Sequence, residues 1–173
     1  LGLTECWEHR ATGTVYPTAP ETIAGQFDSE IFAFRNLTYE DCVDDFKSLR
    51  QHIATLNQDI RIILSVSPIP LTATASGQHV VVANTHSKSI LRAVCANLTA
   101  KDETVDYFPA FELISASSHG DNLNRRTVSG NDIARTMSCF LKAHNIPPAN
   151  TRIVHNEASD PFCEDTLLDA FSA

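Results

Sequence analysis

Residues 60–66 read IRIILSV, and the chain then turns at once through Pro68 and Pro70 in SPIPLTAT. A β-branched run closed by residues that cannot continue a ladder predicts a short strand buried on both faces. Such a strand needs neighbours beside it and helices over it. The flanking sequence offers both. Upstream, Thr38 can cap a helix, with Asp41 as the acidic partner of its first turn. Val43, Phe46, Leu49, Ile53 and Leu56 then recur at helical spacing and make one apolar face, which ends at Asn57–Asp59. Downstream, HVVVANT at 79–85 predicts a short strand or extended entry. A second helix is predicted from about Ser87 to Leu98, with Ile90, Leu91, Val94, Cys95 and Leu98 inward.

The pattern continues. VDYF at 105–108 and FELI at 111–114 bracket Pro109, so at least one of them is a strand but not one continuous central strand. A polar loop, SASSHGDNLNRRTVSG, follows. Ser129 caps a third helix with a face of Ile133, Met137, Phe140 and Leu141, stopped by Pro147–Pro148. Residues 8–37, with Gly13, Pro17, Pro20 and Gly25, read as a long loop with short strands, of the kind that covers a site. Strand and helix alternate, which predicts an α/β fold: a mainly parallel sheet in a three-layer arrangement, over residues 1–145. Residues 146–173 read as an acidic extension or linker. In such folds the ligand crevice lies beyond the carboxyl ends of the strands. GLTECWEH, SVSPIPLTAT and SASSHGDNLN would share that edge.

Composition removes several function classes. The formal net charge of −8 argues against a protein that tracks phosphates along a nucleic acid. No apolar run approaches the length of a membrane span. The five cysteines form no CxxC pair and are odd in number. They read as buried free thiols in a reducing, cytoplasmic setting, and no metal or cofactor is called for. The acidic residues Glu157, Asp160, Glu164 and Asp165 lack EF-hand spacing and read as a solvated face. The opening LGLTECW has no initiator Met and runs straight into a strand end, as expected of a piece of a longer protein.

Several polar residues fall on the expected crevice. His86 and Lys88 sit at the expected start of the second helix, where Ser87, Ser89 and free backbone N–H groups can hold a carboxylate or phosphate. Capping of the first turn by Asn84, Thr85 or Ser87, with Lys88 in solvent, accounts for the same residues. Glu5 and Trp7 follow the first strand; Trp7 can stack on a sugar ring or pack beneath a loop. Ser67 lies on the lip and shapes it, without being a nucleophile candidate.

LGLTECW, GTVYP, IILSVSPIPLTAT, HVVVANTHSKSILRAV and VDYFPAFELI, in that order, resemble the motifs of the GSCFA-domain family. The resemblance covers about residues 1–141. It implies a bacterial protein with a flavodoxin-like fold, part of the SGNH (GDSL-like) ester hydrolase superfamily. It also implies an ester hydrolase or acyltransferase working through a serine acyl-enzyme on a small acylated molecule or an acylated glycan. The nucleophile would come from the GSCFA motif, upstream of Leu1. In GLTE, Gly2 would supply an oxyanion-hole amide, and Thr4 stands where the superfamily has Asn. The superfamily's last motif, D-x-x-H, falls in register on Asn124 and Thr127, which cannot act as an acid–base pair. His119 and Asp121 lie just upstream and would substitute, with Asn124 left to bind substrate. The departure at Asn124 and Thr127 favours the competing class, a non-catalytic module that binds a glycan or a partner.

Overall fold

The computed structural model describes residues 1–22, 25–117 and 128–147. In chain order its elements are β1 (Glu5–His9), β2 (Val15–Tyr16), β3 (Phe32–Asn36), α1 (Tyr39–Leu56), β4 (Ile62–Leu64), α2 (Val80–Lys101), β5 (Val105–Tyr107), α3 (Ala110–Ser117) and α4 (Gly130–Ala143). The architecture is mixed α/β with two small sheets, one parallel and one antiparallel.

β4 and β5 pair in parallel, with Ile62 opposite Val105 and Leu64 opposite Tyr107. α2 joins them, as a parallel pair requires. Leu64, Val66 and Val105 meet Val43 and Phe46 of α1 and Leu91, Val94, Cys95 and Leu98 of α2 in one core. Each such side chain, fully buried, contributes about 1.5–3 kcal/mol. The other side of β4 is open: Ile63 is 42% exposed, so the strand is not covered on both faces among the described residues.

A third extended segment lies against β4. Leu1 N donates to Ser65 O and Ser67 N donates to Leu1 O, both at 2.7 Å. That pair of bonds is a parallel bridge between Leu1 and Val66. The first residues therefore run alongside the end of β4, as expected for a strand end at GLTE. The chain then leaves the parallel sheet. Residues 8–37, expected as a long loop with short strands, contain β2 and β3, which flank β1 in an antiparallel ribbon of order β2-β1-β3. Its cross-strand pairs are large: Trp7 opposite both Tyr16 and Phe34, and His9 opposite Phe32. Aromatic pairs of this kind hold antiparallel strands without a continuous core.

α1 has the expected cap. Thr38 Oγ1 accepts from Asp41 N, and Asp41 Oδ2 accepts from Thr38 N, a closed capping box. Hydrogen bonds from Thr38, backbone first, hold the Asp41 carboxyl below the usual carboxylate range. The inward face departs from the expected one: Leu49 and Leu56 are exposed, while Arg50 turns in, its guanidinium reaching Thr104 and Asp102.

Three further expectations are corrected. HVVVANT is neither strand nor extended: α2 begins at Val80, with His79 Nδ1 accepting from Val81 N as N-cap. Ala83, Ser87, Leu91, Val94 and Leu98 share the inward face, and this periodicity overrides the strand preference of three valines, of which Val81 and Val82 are exposed. VDYF supplies β5, which meets the expectation of a strand on at least one side of Pro109, while FELI is helical: Pro109 immediately precedes α3, its carbonyl accepting from Leu113 N. In α4, capped by Ser129 as expected, Ile133 and Met137 are about half exposed and Thr136 is buried instead. Phe140 does pack inward, edge-on to Phe108 at 5.0 Å. Cys6, Cys42, Cys95 and Cys139 are free thiols; Cys139 is exposed, not buried. Among the described residues no helix is long and apolar enough to cross a membrane.

Candidate functional site

The carboxyl ends of the Leu1 segment, β4 and β5 lie side by side, and the expected crevice would lie just beyond them. Two polar contacts from α2 organise it. The first is neutral and closed. Thr4 is fully buried. Its Oγ1 donates to Asn36 Oδ1 at 2.6 Å and shares a 2.6 Å contact with Ser87 Oγ. A hydroxyl has a single proton, so Ser87 is the donor in that second contact. Ser87 Oγ in turn accepts from Thr4 N, and Thr4 O accepts from Leu37 N. Thr4 is thus a junction between α2, the ribbon and the parallel sheet, and its one proton is committed to Asn36.

The second contact is charged. Lys88 is only 3% exposed, and its Nζ donates to Gly2 O at 2.9 Å. Among the described residues no carboxylate pairs with it. Burial alone pulls its amine down to about 8 from the ordinary lysine value.

Gly2 itself is exposed, and a Cβ built on it meets nothing within 4 Å. Its φ is not left-handed. Neither turn geometry nor packing among the described residues therefore requires glycine here, and the absent side chain leaves space at the crevice. The Leu1–Gly2 peptide gives its carbonyl to Ser67 on the β4 side. In a trans peptide N–H and C=O point oppositely, so Gly2 N–H points away from β4. It has no acceptor among the described residues.

The SPIPLTAT segment is fastened at several points. Ser67 Oγ accepts from Ile69 N in a local turn. Asn84 Oδ1 accepts from Leu71 N, and Glu5 Oε1 accepts from Thr74 Oγ1 at 2.6 Å. Glu5 thereby ties β1 to the lip. Trp7 stands edge-on to Phe34 and to Phe27 of the loop before β3, at 5.6 and 5.1 Å; its ring packs under a loop.

His86 is exposed while Lys88 is buried, so the two do not form one cluster. Since α2 starts at Val80, residues 86–89 lie well inside the helix and offer no free backbone N–H groups. The anion site expected from those groups is absent, and capping belongs to His79. His119, Asp121, Asn124 and Thr127 lie outside the described residues. Asn36 and Thr74 were missed in the sequence because their partners, Thr4 and Glu5, are far away along the chain and carry no local signal.

A separate groove of about 530 Å3 runs between α2 and α3, lined by Asn84, Thr85, Lys88, Ser89, Arg92 and Phe111 among others. Of the residues expected to hold an anion, it shares Lys88 and Ser89. At its edge Arg92 Nε meets Glu112 Oε1 at 2.6 Å, Tyr107 OH donates to the same carboxylate, and the guanidinium lies 4.3 Å over the Tyr107 ring. Burial opposes ionisation of Glu112, but the bonds from Tyr107 and Arg92 hold its carboxyl low. This network fastens α3 to α2 and β5. Among the described residues no three His, Cys, Asp or Glu side chains gather closely enough to hold a metal ion.

No curated protein and no solved structure matches the chain. A family model does: it spans residues 1–140, and by that match the chain belongs to the GSCFA family.

Proposed function

We propose that the full-length protein is an ester hydrolase or acyltransferase of the SGNH type, in a three-layer flavodoxin-like fold. Its substrate is a small acylated molecule or an acylated glycan. The nucleophilic serine lies outside residues 1–173. Serine Oγ attacks the ester carbonyl carbon, its proton passes to His119 oriented by Asp121, and the carbonyl electrons move onto oxygen. Collapse re-forms the carbonyl and expels the alcohol, which takes the proton. Water or a second alcohol then accepts the acyl group.

The observation that supports this reading is the edge of the Leu1 segment. Gly2 presents an unpartnered amide and no side chain at the carboxyl end of a parallel strand pair, on the side away from β4. A backbone N–H so placed can stabilise a developing oxyanion. The commitment of the Thr4 proton to Asn36 favours the second reading, a binding module without chemistry.

Hydrolysis of p-nitrophenyl acetate by the full-length protein separates the two. The catalytic reading expects turnover, reduced at least tenfold by Gly2→Val and by His119→Ala. A Cβ at this position meets nothing within 4 Å, and Gly2 is exposed, so a side chain there is compatible with the fold. Absence of turnover in the wild type leaves the binding module. Turnover unchanged in both variants removes these residues from the mechanism.

A further inference from the structure

We propose that Lys88 is a positioning residue for the oxyanion, acting through the Gly2–Leu3 peptide, and that Leu3 N–H takes the donor place that Thr4 leaves empty. This rests on the acyl-transfer reading above. Thr4 cannot serve, because its proton is held by Asn36 while it accepts from Ser87. The contact one residue further along α2 is of a different kind. Lys88 Nζ donates to Gly2 O. The carbonyl of Gly2 and the N–H of Leu3 belong to one amide, and in a trans peptide they point in opposite directions. Fixing that carbonyl on a buried amine therefore turns Leu3 N–H away from the core. Leu3 N–H has no acceptor among the described residues. Gly2 and Leu3 are both exposed, so this peptide lies at the surface rather than in the core.

The cation also changes the strength of the donor. A charge on the carbonyl oxygen polarises the amide and makes its N–H a better donor, and the effect is larger where water is excluded. Leu3 N–H then acts as a backbone donor whose peptide plane Lys88 holds. The burial of Lys88 without a counter-charge fits the assignment. A solvated lysine would be a cheaper helix residue, and a methionine would fill the same space without the loss of hydration. The amine is pulled down to about 8, so it is largely charged at neutral pH and loses its charge as the pH rises above that value. No other cation or carboxylate of α2, the Leu1 segment or the lip pairs with it among the described residues.

The test uses the full-length protein, its Lys88→Met and Lys88→Arg variants, p-nitrophenyl acetate as substrate and acetate as anion probe. Lys88→Met is expected to fold and to lose about tenfold to a hundredfold in kcat with little change in KM; Lys88→Arg, which keeps a cation, recovers most of it. In spectra of protein labelled with 15N-leucine, acetate is expected to shift the Leu3 amide in the wild type and not in Lys88→Met. An active wild type matched by an equally active Lys88→Met overturns the role of Lys88 while the acyl-transfer reading stands. An inactive wild type overturns that reading, and with it the catalytic form of this one. A Leu3 amide that acetate leaves unmoved in the wild type removes Leu3 as a donor in either case. Should Lys88→Met not fold, the arginine variant decides: a loss of kcat as large as that of Gly2→Val overturns the proposal.

Discussion

Around β4 and β5 the side chains of α1 and α2 close over the sheet until Val66, Val94 and Cys95 are at most 1% exposed. On the ribbon β1–β3, by contrast, Cys6 is the one buried strand residue, and Val15 and Tyr16 stand open. The parallel half is held by burial. The ribbon is held by aromatic edges, by the Arg35 bridges to Glu8 and Asp41, and by the polar junction at Thr4. Small sheets without a buried face are marginal alone. The stability of the ribbon thus depends on its attachment to the parallel half, and the crevice residues Gly2 to Glu5 lie on the joint between the two.

The largest effect should come from the buried half. Leu91 is 3% exposed, at the centre of the core. Leu91→Ala should lower the free energy of unfolding by about 2–5 kcal/mol, read from the urea midpoint. Tyr16→Ala on the ribbon, where 38% of the residue is already exposed, should cost less than about 1 kcal/mol. Comparable losses at the two sites would mean that the ribbon contributes a core of its own.

The next effect concerns the charge buried at the joint. With its folded value near 8 against an ordinary 10.5, Lys88 binds fewer protons in the folded state than in the unfolded one between those pH values. Stability therefore rises with pH across that window. Below pH 8 the burial cost is present in full; above 10.5 it is gone, a difference of at most about 3 kcal/mol. Burial also raises the thiols Cys6, Cys42 and Cys95 and, with Glu112, the Tyr107 hydroxyl, which work in the opposite direction at alkaline pH. Comparison with Lys88→Met cancels these shared groups. The variant should be at least as stable as the wild type at pH 7, and its advantage should shrink by pH 10. An advantage independent of pH would mean that the amine is not a buried charge.

What the sequence disclosed follows the same division. In the parallel half the signals are local: the capping box at Thr38, the β-branched run before SPIP, the stripe Leu91–Val94–Cys95–Leu98. Each depends on neighbours within a turn or two, and each was legible. The start of α2 was not, because three valines read as strand until the spacing of Ala83 and Ser87 with Leu91 is given weight. The pairing of the ribbon was unreadable for another reason. It joins Glu5 to Asn36 and Trp7 to Phe34, across a turn-rich stretch that by itself reads as a long loop with short strands. The site followed suit. Gly2 and Lys88 were named from the sequence, but for different roles and without any hint that one holds the other. The Thr4 junction joins Thr4 to Asn36 of β3 and Ser87 of α2, a relation no local pattern encodes.

The smallest of these effects tests the joint directly. Thr4→Val keeps the shape of the side chain and removes its hydroxyl, so Asn36 Oδ1 loses its donor and Ser87 Oγ its acceptor, while Thr4 N still donates to Ser87 Oγ. The loss should be about 2 kcal/mol, the cost of unsatisfied buried polar groups. Its distribution matters more than its size. If the ribbon depends on this junction, amide hydrogen exchange should accelerate in β1 and β3, where Asn36 loses its anchor. Amides of α2 from Leu91 to Leu98 and of β5 should keep their protection, since their core is untouched. Uniform acceleration through both halves would show a single cooperative unit in which Thr4 is one core residue among many. Acceleration confined to the ribbon would establish that the crevice is assembled on a seam, with the Lys88 contact to Gly2 O as its other fastening.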